Sequence, residues 1–170
     1  ATFDGLTKIA NRRYFDQYLD SALSKNQRIS LVLCHVDDFK AFHALCGDAM
    51  ADQCLLKIAA ALTSAVRQED LVARYSDAMF AVVLSDVTEE TAHAIAQRIR
   101  LQVQQLDIAH GGAAVANWVT VSCGLAAASQ EQSVVLPHVL IEQADAALSK
   151  ANRSGRNCVA TSQRATDEET

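Results

Sequence analysis

Arg67 to Leu84, RQEDLVARYSDAMFAVVL, decides the fold. Leu71, Ala73 and Tyr75 alternate with more polar neighbours and predict a short strand, and Phe80, Val82 and Leu84 predict a second. Ser76-Asp77 between them suits a two-residue turn, because both side chains can hydrogen-bond the local backbone. Arg67 and Asp70 frame the entry to the first strand. The stretch therefore reads as a β-hairpin with polar residues at its tip and a basic-acidic pair at its base.

Outward from the hairpin the periodicity switches repeatedly. Thr7 to Leu23 carries Ile9, Tyr14, Phe15, Leu19 and Leu23 at helical spacing, and Ile29 to Asp37, ISLVLCHVD, is a buried-strand run. Phe39 to Ala44 predicts a short helix, and Asp52 to Val66 a longer one with Leu55, Leu56, Ile58, Ala59 and Leu62. A helix from Thr88 to Leu106 follows the hairpin, with Thr88 as N-cap before Glu89 and Glu90. Asn117 to Ala127 predicts a strand, Leu136 to Ala151 a helix with Pro137 in its first turn, and Asn157 to Ala160 a last short strand. His110 to Val115 reads as a loop, and Thr161 to Thr170 as a polar, frayed tail. Strands mixed with helices, one hairpin included, imply a layered α/β sandwich around a mixed central sheet.

Composition narrows the function classes. The 170 residues suit one domain, and half of them are hydrophobic, so a packed core is expected. A formal charge of −5 argues against a general nucleic-acid binder, which would carry a basic face. No apolar run is long enough to span a membrane, and no signal peptide is visible; Ala1 in place of an initiator Met reads as an excised part of a longer protein. Cys34, Cys46, Cys54, Cys123 and Cys158 are scattered without a CxxC pair, which fits neither a disulfide framework nor a zinc site and points to a reducing cytoplasm.

Several motifs, in order and at consistent spacing, resemble the GGDEF family of diguanylate cyclases. Asp4-Gly-Leu-Thr7 with Asn11-Arg12-Arg13 resembles its entry motif, and Val36-Asp37-Asp38-Phe39-Lys40 part of its first metal-strand motif. Val119 to Gly124 resembles its VTxSxG strand, and Ala144-Asp145 with Gly155-Arg156-Asn157 its closing motif. The likeness extends from about Asp4 to Val159, and residues 1–160 are read as the domain. It implies the nucleotidyl-cyclase-like sandwich, and a reaction joining two GTP molecules into cyclic di-GMP with divalent metal and carboxylate ligands.

Position by position, the resemblance implies a changed substrate site. The five signature positions of the turn are Ser76, Asp77, Ala78, Met79 and Phe80, so Ala78 and Met79 stand where the family has its acidic pair. The first metal carboxylate falls on His35, an imidazole better suited to Zn or Cu than to Mg. Asp37, two residues along, would face the same side, and a further reading, an active cyclase, would need it as a metal ligand in place of the lost carboxylates. The family's guanine-binding Asn is His43 while its Asp is kept as Asp52; Lys40 and Arg156 match phosphate positions, and a lysine has become Asn152. The expectation is a domain without cyclase activity and without bound Mg²⁺.

The family's inhibitory site for its product is matched. Arg67-Gln-Glu-Asp70 is an RxxD motif upstream of Ser76, and Arg98 on the following helix matches the third residue. An Arg fork can bond the guanine O6/N7 edge in bidentate fashion, and Asp70 can accept from the guanine N1 and N2 hydrogens. The expected partners are cyclic di-GMP and the flanking domains of a parent protein, with a second copy or a partner protein as further candidates. The competing readings are a ligand-free interaction or dimerisation module, in which Arg67 is locked in an internal ion pair, and a GTP-binding regulatory domain using Lys40, Asp52 and Arg156.

Overall fold

A computed structural model describes residues 2–25, 28–111, 117–128 and 135–162. The elements run α1 (Arg12–Ser24), β1 (Ile29–Val36), α2 (Phe39–Ala65), β2 (Leu71–Ser76), β3 (Met79–Ser85), α3 (Glu89–Gln104), β4 (Val121–Ala128), α4 (Pro137–Arg153) and β5 (Val159–Thr161). The five strands form one sheet in the order β2-β3-β1-β4-β5. β1 pairs antiparallel with both β3 and β4, and β5 joins β4 in parallel, so the sheet is mixed as expected.

Alternation along the strands splits the core into two layers. Val32, Cys34 and Val36 of β1, with Phe80, Val82 and Leu84 of β3, meet Phe42, Ile58 and Leu62 of α2 and Ile95 and Ile99 of α3. Ile29, Leu31 and Leu33, with Ala81 and Val83, meet Phe15 and Leu19 of α1 and Leu140, Ala144 and Leu148 of α4 on the opposite face. Each fully buried Leu, Ile or Phe contributes roughly 1.5–3 kcal/mol by leaving water.

The element boundaries depart from the sequence pattern at five places. α1 starts at Arg12 with Asn11 as N-cap, not at Thr7. The Asp4 carboxylate accepts hydrogen bonds from both the backbone N–H and the hydroxyl of Thr7, which folds residues 4–7 into a turn in competition with helix. The two anticipated helices at 39–44 and 52–66 are one run broken at Gly47, whose φ of 84° no ordinary side chain adopts easily. In the hairpin the connecting pair is Asp77-Ala78, one residue later than expected, because Tyr75 is the extra residue of a bulge between Arg74 and Ser76. β4 begins only at Val121, since Trp118 and Val119 pair instead with the 108–109 segment. β5 begins at Val159 because Arg156 and Asn157 are left-handed, with φ of 64° and 46°.

Thr88 caps α3 through its side chain, and Pro137 occupies the first turn of α4. Residues 112–115 of the expected loop and residues 163–170 of the expected tail lie outside the described residues; Thr161 itself closes β5. All five cysteines are free thiols, and Cys34 and Cys123 are buried core residues facing each other across β1 and β4, with their Sγ atoms 3.5 Å apart. No helix among the described residues is long and apolar enough to cross a membrane.

Candidate functional site

Two sites flank the hairpin. At its tip, a cavity of about 740 Å³ opens between the end of β1, the start of α2 and the end of α4. His35, Asp37, Lys40 and His43 line it from the β1–α2 side, Ser76, Asp77 and Ala78 from the hairpin, and Asn152 and Arg156 from the α4 side. Nine positions singled out in the sequence therefore come together here. Two do not: Asp52 is exposed on α2 away from the lining, and Met79 packs into the apolar layer beneath.

Two of the cavity's acids, Asp37 and Asp38, are held by protein groups. Asp37 is buried; its carboxylate accepts from Ser122 Oγ at 2.7 Å, Thr120 Oγ1 at 2.8 Å and the Asn157 backbone N–H at 3.1 Å. It thus clamps β1, β4 and the left-handed turn that carries Arg156. Arg156 in turn pairs with Asp38, a residue the motif comparison left unused, whose own φ of 54° is left-handed. His43 pairs with Asp48, and burial pushes the His35 imidazole below its ordinary pKa, so His35 is neutral at pH 7. The oxygens of Asp37 and Asp38 are bonded to hydroxyl, amide and guanidinium groups of the protein, and Asp77 is the third acid in the lining. Among the described residues no three His, Cys, Asp or Glu side chains are grouped to hold a metal ion.

Because Thr120 and Ser122 are buried, removing the carboxylate orphans two hydroxyl donors, while the Asn157 N–H keeps Ser122 Oγ as an acceptor. Asp37→Ala is expected to cost about 2–4 kcal/mol, from an unmet-donor penalty of about 1–3 kcal/mol per group partly relieved by water. Chemical denaturation measures it, and a loss under about 0.5 kcal/mol would refute the clamp.

The second site lies at the base of the hairpin. The Arg67 side chain donates from Nε to Asp70 Oδ2 at 3.1 Å and from Nη2 to Asp70 Oδ1 at 2.9 Å, and Nη2 also reaches the Ser85 carbonyl at 2.7 Å. The Asp70 side chain is wholly buried and accepts further from the Arg67 and Ser85 backbone N–H groups. The fork expected to read guanine is therefore closed on Asp70, and Asp70 has no exposed oxygen to offer a base. Hydrogen bonding to Asp70 raises the Arg67 pKa further above its ordinary value. Nη1 of Arg67 lies 3.4 Å from Glu69 Oε1. Arg98 arrives from α3 and donates through Nη2 to the Ala65 carbonyl at 2.6 Å, at the last turn of α2. The helix-end carbonyls favour cations there. Arg67 follows Ala65 by two residues in the chain; the sequence could show the Arg67 motif but not the bond from Arg98 to the helix end.

Comparison with known proteins agrees with this architecture. The family model "Diguanylate cyclase, GGDEF domain" matches residues 1–158. The response regulator PleD of Caulobacter vibrioides is 34% identical over 165 residues, which cover 94% of this chain and 36% of that protein. Diguanylate cyclase DgcS of Shewanella oneidensis is 31% identical over 162 residues, 93% of this chain and 52% of that protein. The chain spans only about a third to a half of these relatives' length. Among solved structures, the GGDEF domain of DgcB from Caulobacter crescentus in complex with c-di-GMP superposes with a TM-score of 0.82 at 30% identity, covering 95% of each chain.

These findings overturn one expectation. The domain was expected not to be an enzyme because Ala78, Met79 and His35 replace acidic positions, yet relatives matched along most of its length are named diguanylate cyclases. Three replaced side chains describe three positions. They leave an open cavity with Lys40 and Arg156 in its lining, and they do not remove the domain from an enzyme class. With the family model matched over residues 1–158 and the sheet order, hairpin and cavity in place, the chain belongs to the GGDEF domain family of diguanylate cyclases.

Proposed function

We propose that the domain binds cyclic di-GMP at the base of the hairpin, through Arg67 and Arg98 with Asp70 holding Arg67, and passes the bound state to the rest of a larger signalling protein. The observation that carries this reading is an Arg67 guanidinium fixed by a buried carboxylate, on the segment that follows the helix end to which Arg98 is bonded. A cyclic dinucleotide brings two phosphate charges and two purines, and guanidinium groups serve both by hydrogen bonding and by stacking. The DgcB GGDEF domain, 30% identical, is itself described in complex with c-di-GMP, which supports the ligand class. Binding at this edge needs no metal, since the phosphate charge meets Arg67 and Arg98.

Isothermal titration with cyclic di-GMP tests the reading. Arg98 is exposed, so Arg98→Ala should leave stability nearly unchanged and weaken binding about five- to 150-fold, the worth of one good guanidinium contact of about 1–3 kcal/mol. Arg156→Ala, in the other cavity, should stay within about twofold of wild type. Binding lost in Arg156→Ala and kept in Arg98→Ala would overturn the assignment.

One observation favours a second reading, a ligand-free interaction or dimerisation module: the Arg67 fork is already satisfied inside the protein. It forecasts no heat with cyclic di-GMP and a change in association state instead. The GTP-binding reading is less well served, because Asp52 stands away from the cavity that holds Lys40 and Arg156.

A further inference from the structure

We propose that Cys34 and Cys123 form a peroxide-oxidisable dithiol, a modification site inside the sheet that closes into a disulfide linking β1 to β4. The two residues are register partners across these antiparallel strands, and the Cys123 thiol donates to Cys34 Sγ at 3.5 Å. Backbone bonding fixes which kind of pair they make. Val36 N–H donates to the Ala78 carbonyl on the β3 side, whereas Asp37 N–H donates to the Thr120 carbonyl on the β4 side. Even-numbered residues of β1 therefore spend their backbone groups on β3, so Cys34 meets Cys123 at a non-hydrogen-bonded position. Cys123 N–H accordingly points the other way, to the Cys158 carbonyl. At such positions the Cα atoms lie about 4.5 Å apart, within the roughly 4.4–6.8 Å that a disulfide spans. Bond formation brings the sulfurs to about 2.05 Å, so each has to move by only about 0.7 Å.

Both side chains are wholly buried, in the layer that Val32, Val36, Val121 and Leu125 also build. The hydrogen bond with Cys34 and burial push the Cys123 thiol well above its ordinary pKa, so it is not a thiolate at pH 7. Only an oxidant little larger than water reaches such a pair, at a rate set by local opening of the sheet, and hydrogen peroxide is of that size. The step balances. An S–O bond forms on one sulfur as the peroxide O–O bond breaks, giving a sulfenic acid and water. The second sulfur then displaces that oxygen: the S–S bond forms, the S–O bond breaks and a second water leaves. Two thiols and one peroxide become one disulfide and two waters, with two electrons passing from sulfur to oxygen. The crosslink lies one residue from His35, in the cavity lining, and one residue from Ser122, which holds Asp37.

Hydrogen peroxide treatment of the full chain tests the site, in a Cys46→Ser/Cys158→Ser background that removes the exposed and half-buried thiols. Unfolding in an alkylating reagent, intact mass and non-reducing peptide mapping then read the outcome. The expected result is loss of two hydrogen atoms, alkylation at Cys54 alone, and one linked peptide pair joining Cys34 to Cys123. Adding Cys34→Ala or Cys123→Ala to the same background should abolish the crosslink. Closing so long a loop should also raise the melting temperature by at least about 5 °C, and dithiothreitol should reverse the rise. Both thiols still open to alkylation, either one oxidised singly to the sulfinic acid, or a crosslink to Cys54 instead, overturns the site. Peptide mapping decides by itself if an alanine variant does not fold.

Discussion

Gly124→Ala is expected to destabilise the domain by at least about 3 kcal/mol, at or beyond the upper end of ordinary overpacking costs. Gly124 sits in the middle of β4, and a Cβ built on it would lie 2.2 Å from the Ala144 carbonyl oxygen, 2.3 Å from the Leu148 nitrogen and 2.8 Å from the Leu148 Cα. All three are backbone atoms of α4, so no side-chain rotation relieves the clash. The helix must instead move off the sheet, away from Ala144 and Leu148, both buried in the layer that also holds Leu31 and Leu33. At about 2–4 °C per kcal/mol for a domain of this size, the melting temperature should fall by about 6–12 °C. A calorimetric scan showing a shift of under about 2 °C would mean that α4 does not approach β4 this closely.

Arg67→Ala should do two separable things. It removes the groups nearest the proposed ligand, costing about ten- to 150-fold in cyclic di-GMP affinity for a charge-assisted contact of about 1.5–3 kcal/mol. It also leaves the Asp70 carboxylate buried with only the Arg67 and Ser85 backbone N–H groups as donors, a penalty of about 1–3 kcal/mol in stability. Arg67→Lys keeps the charge and loses the fork, so it should share the stability loss because an ammonium cannot span both Asp70 oxygens. Titration calorimetry and urea unfolding on the same preparations separate the two effects. Wild-type affinity in Arg67→Ala would remove Arg67 from the site, and unchanged stability would show that the Asp70 pair contributes nothing net.

Much of this molecule was legible in the chain. Period-two alternation at β2 and β3, the continuous apolar run at β1 and period-3.6 runs in the helices follow from burial. They placed the elements in order, though α1 starts five residues later and α2 is one run across Gly47. Motif spacing likewise brought His35, Lys40, His43, Ser76, Asn152 and Arg156 to one cavity. Other outcomes depend on contacts between residues far apart in sequence, which no local pattern encodes. Asp37 looked like a spare metal ligand beside His35, but Thr120, Ser122 and Asn157, more than 80 positions away, take its oxygens. Asp70 looked like a base reader, but the Ser85 carbonyl and N–H draw the Arg67–Asp70 pair inward and bury its acid. Gly124 read as part of a strand motif, and only the backbone of α4 lying against it shows why a side chain cannot stand there. The sequence by itself determined the order of elements and the two faces of the sheet, because burial periodicity is a local property; which polar groups remain available to a ligand was decided by tertiary structure, because hydrogen-bonding capacity is spent on whichever partners folding brings within about 3 Å.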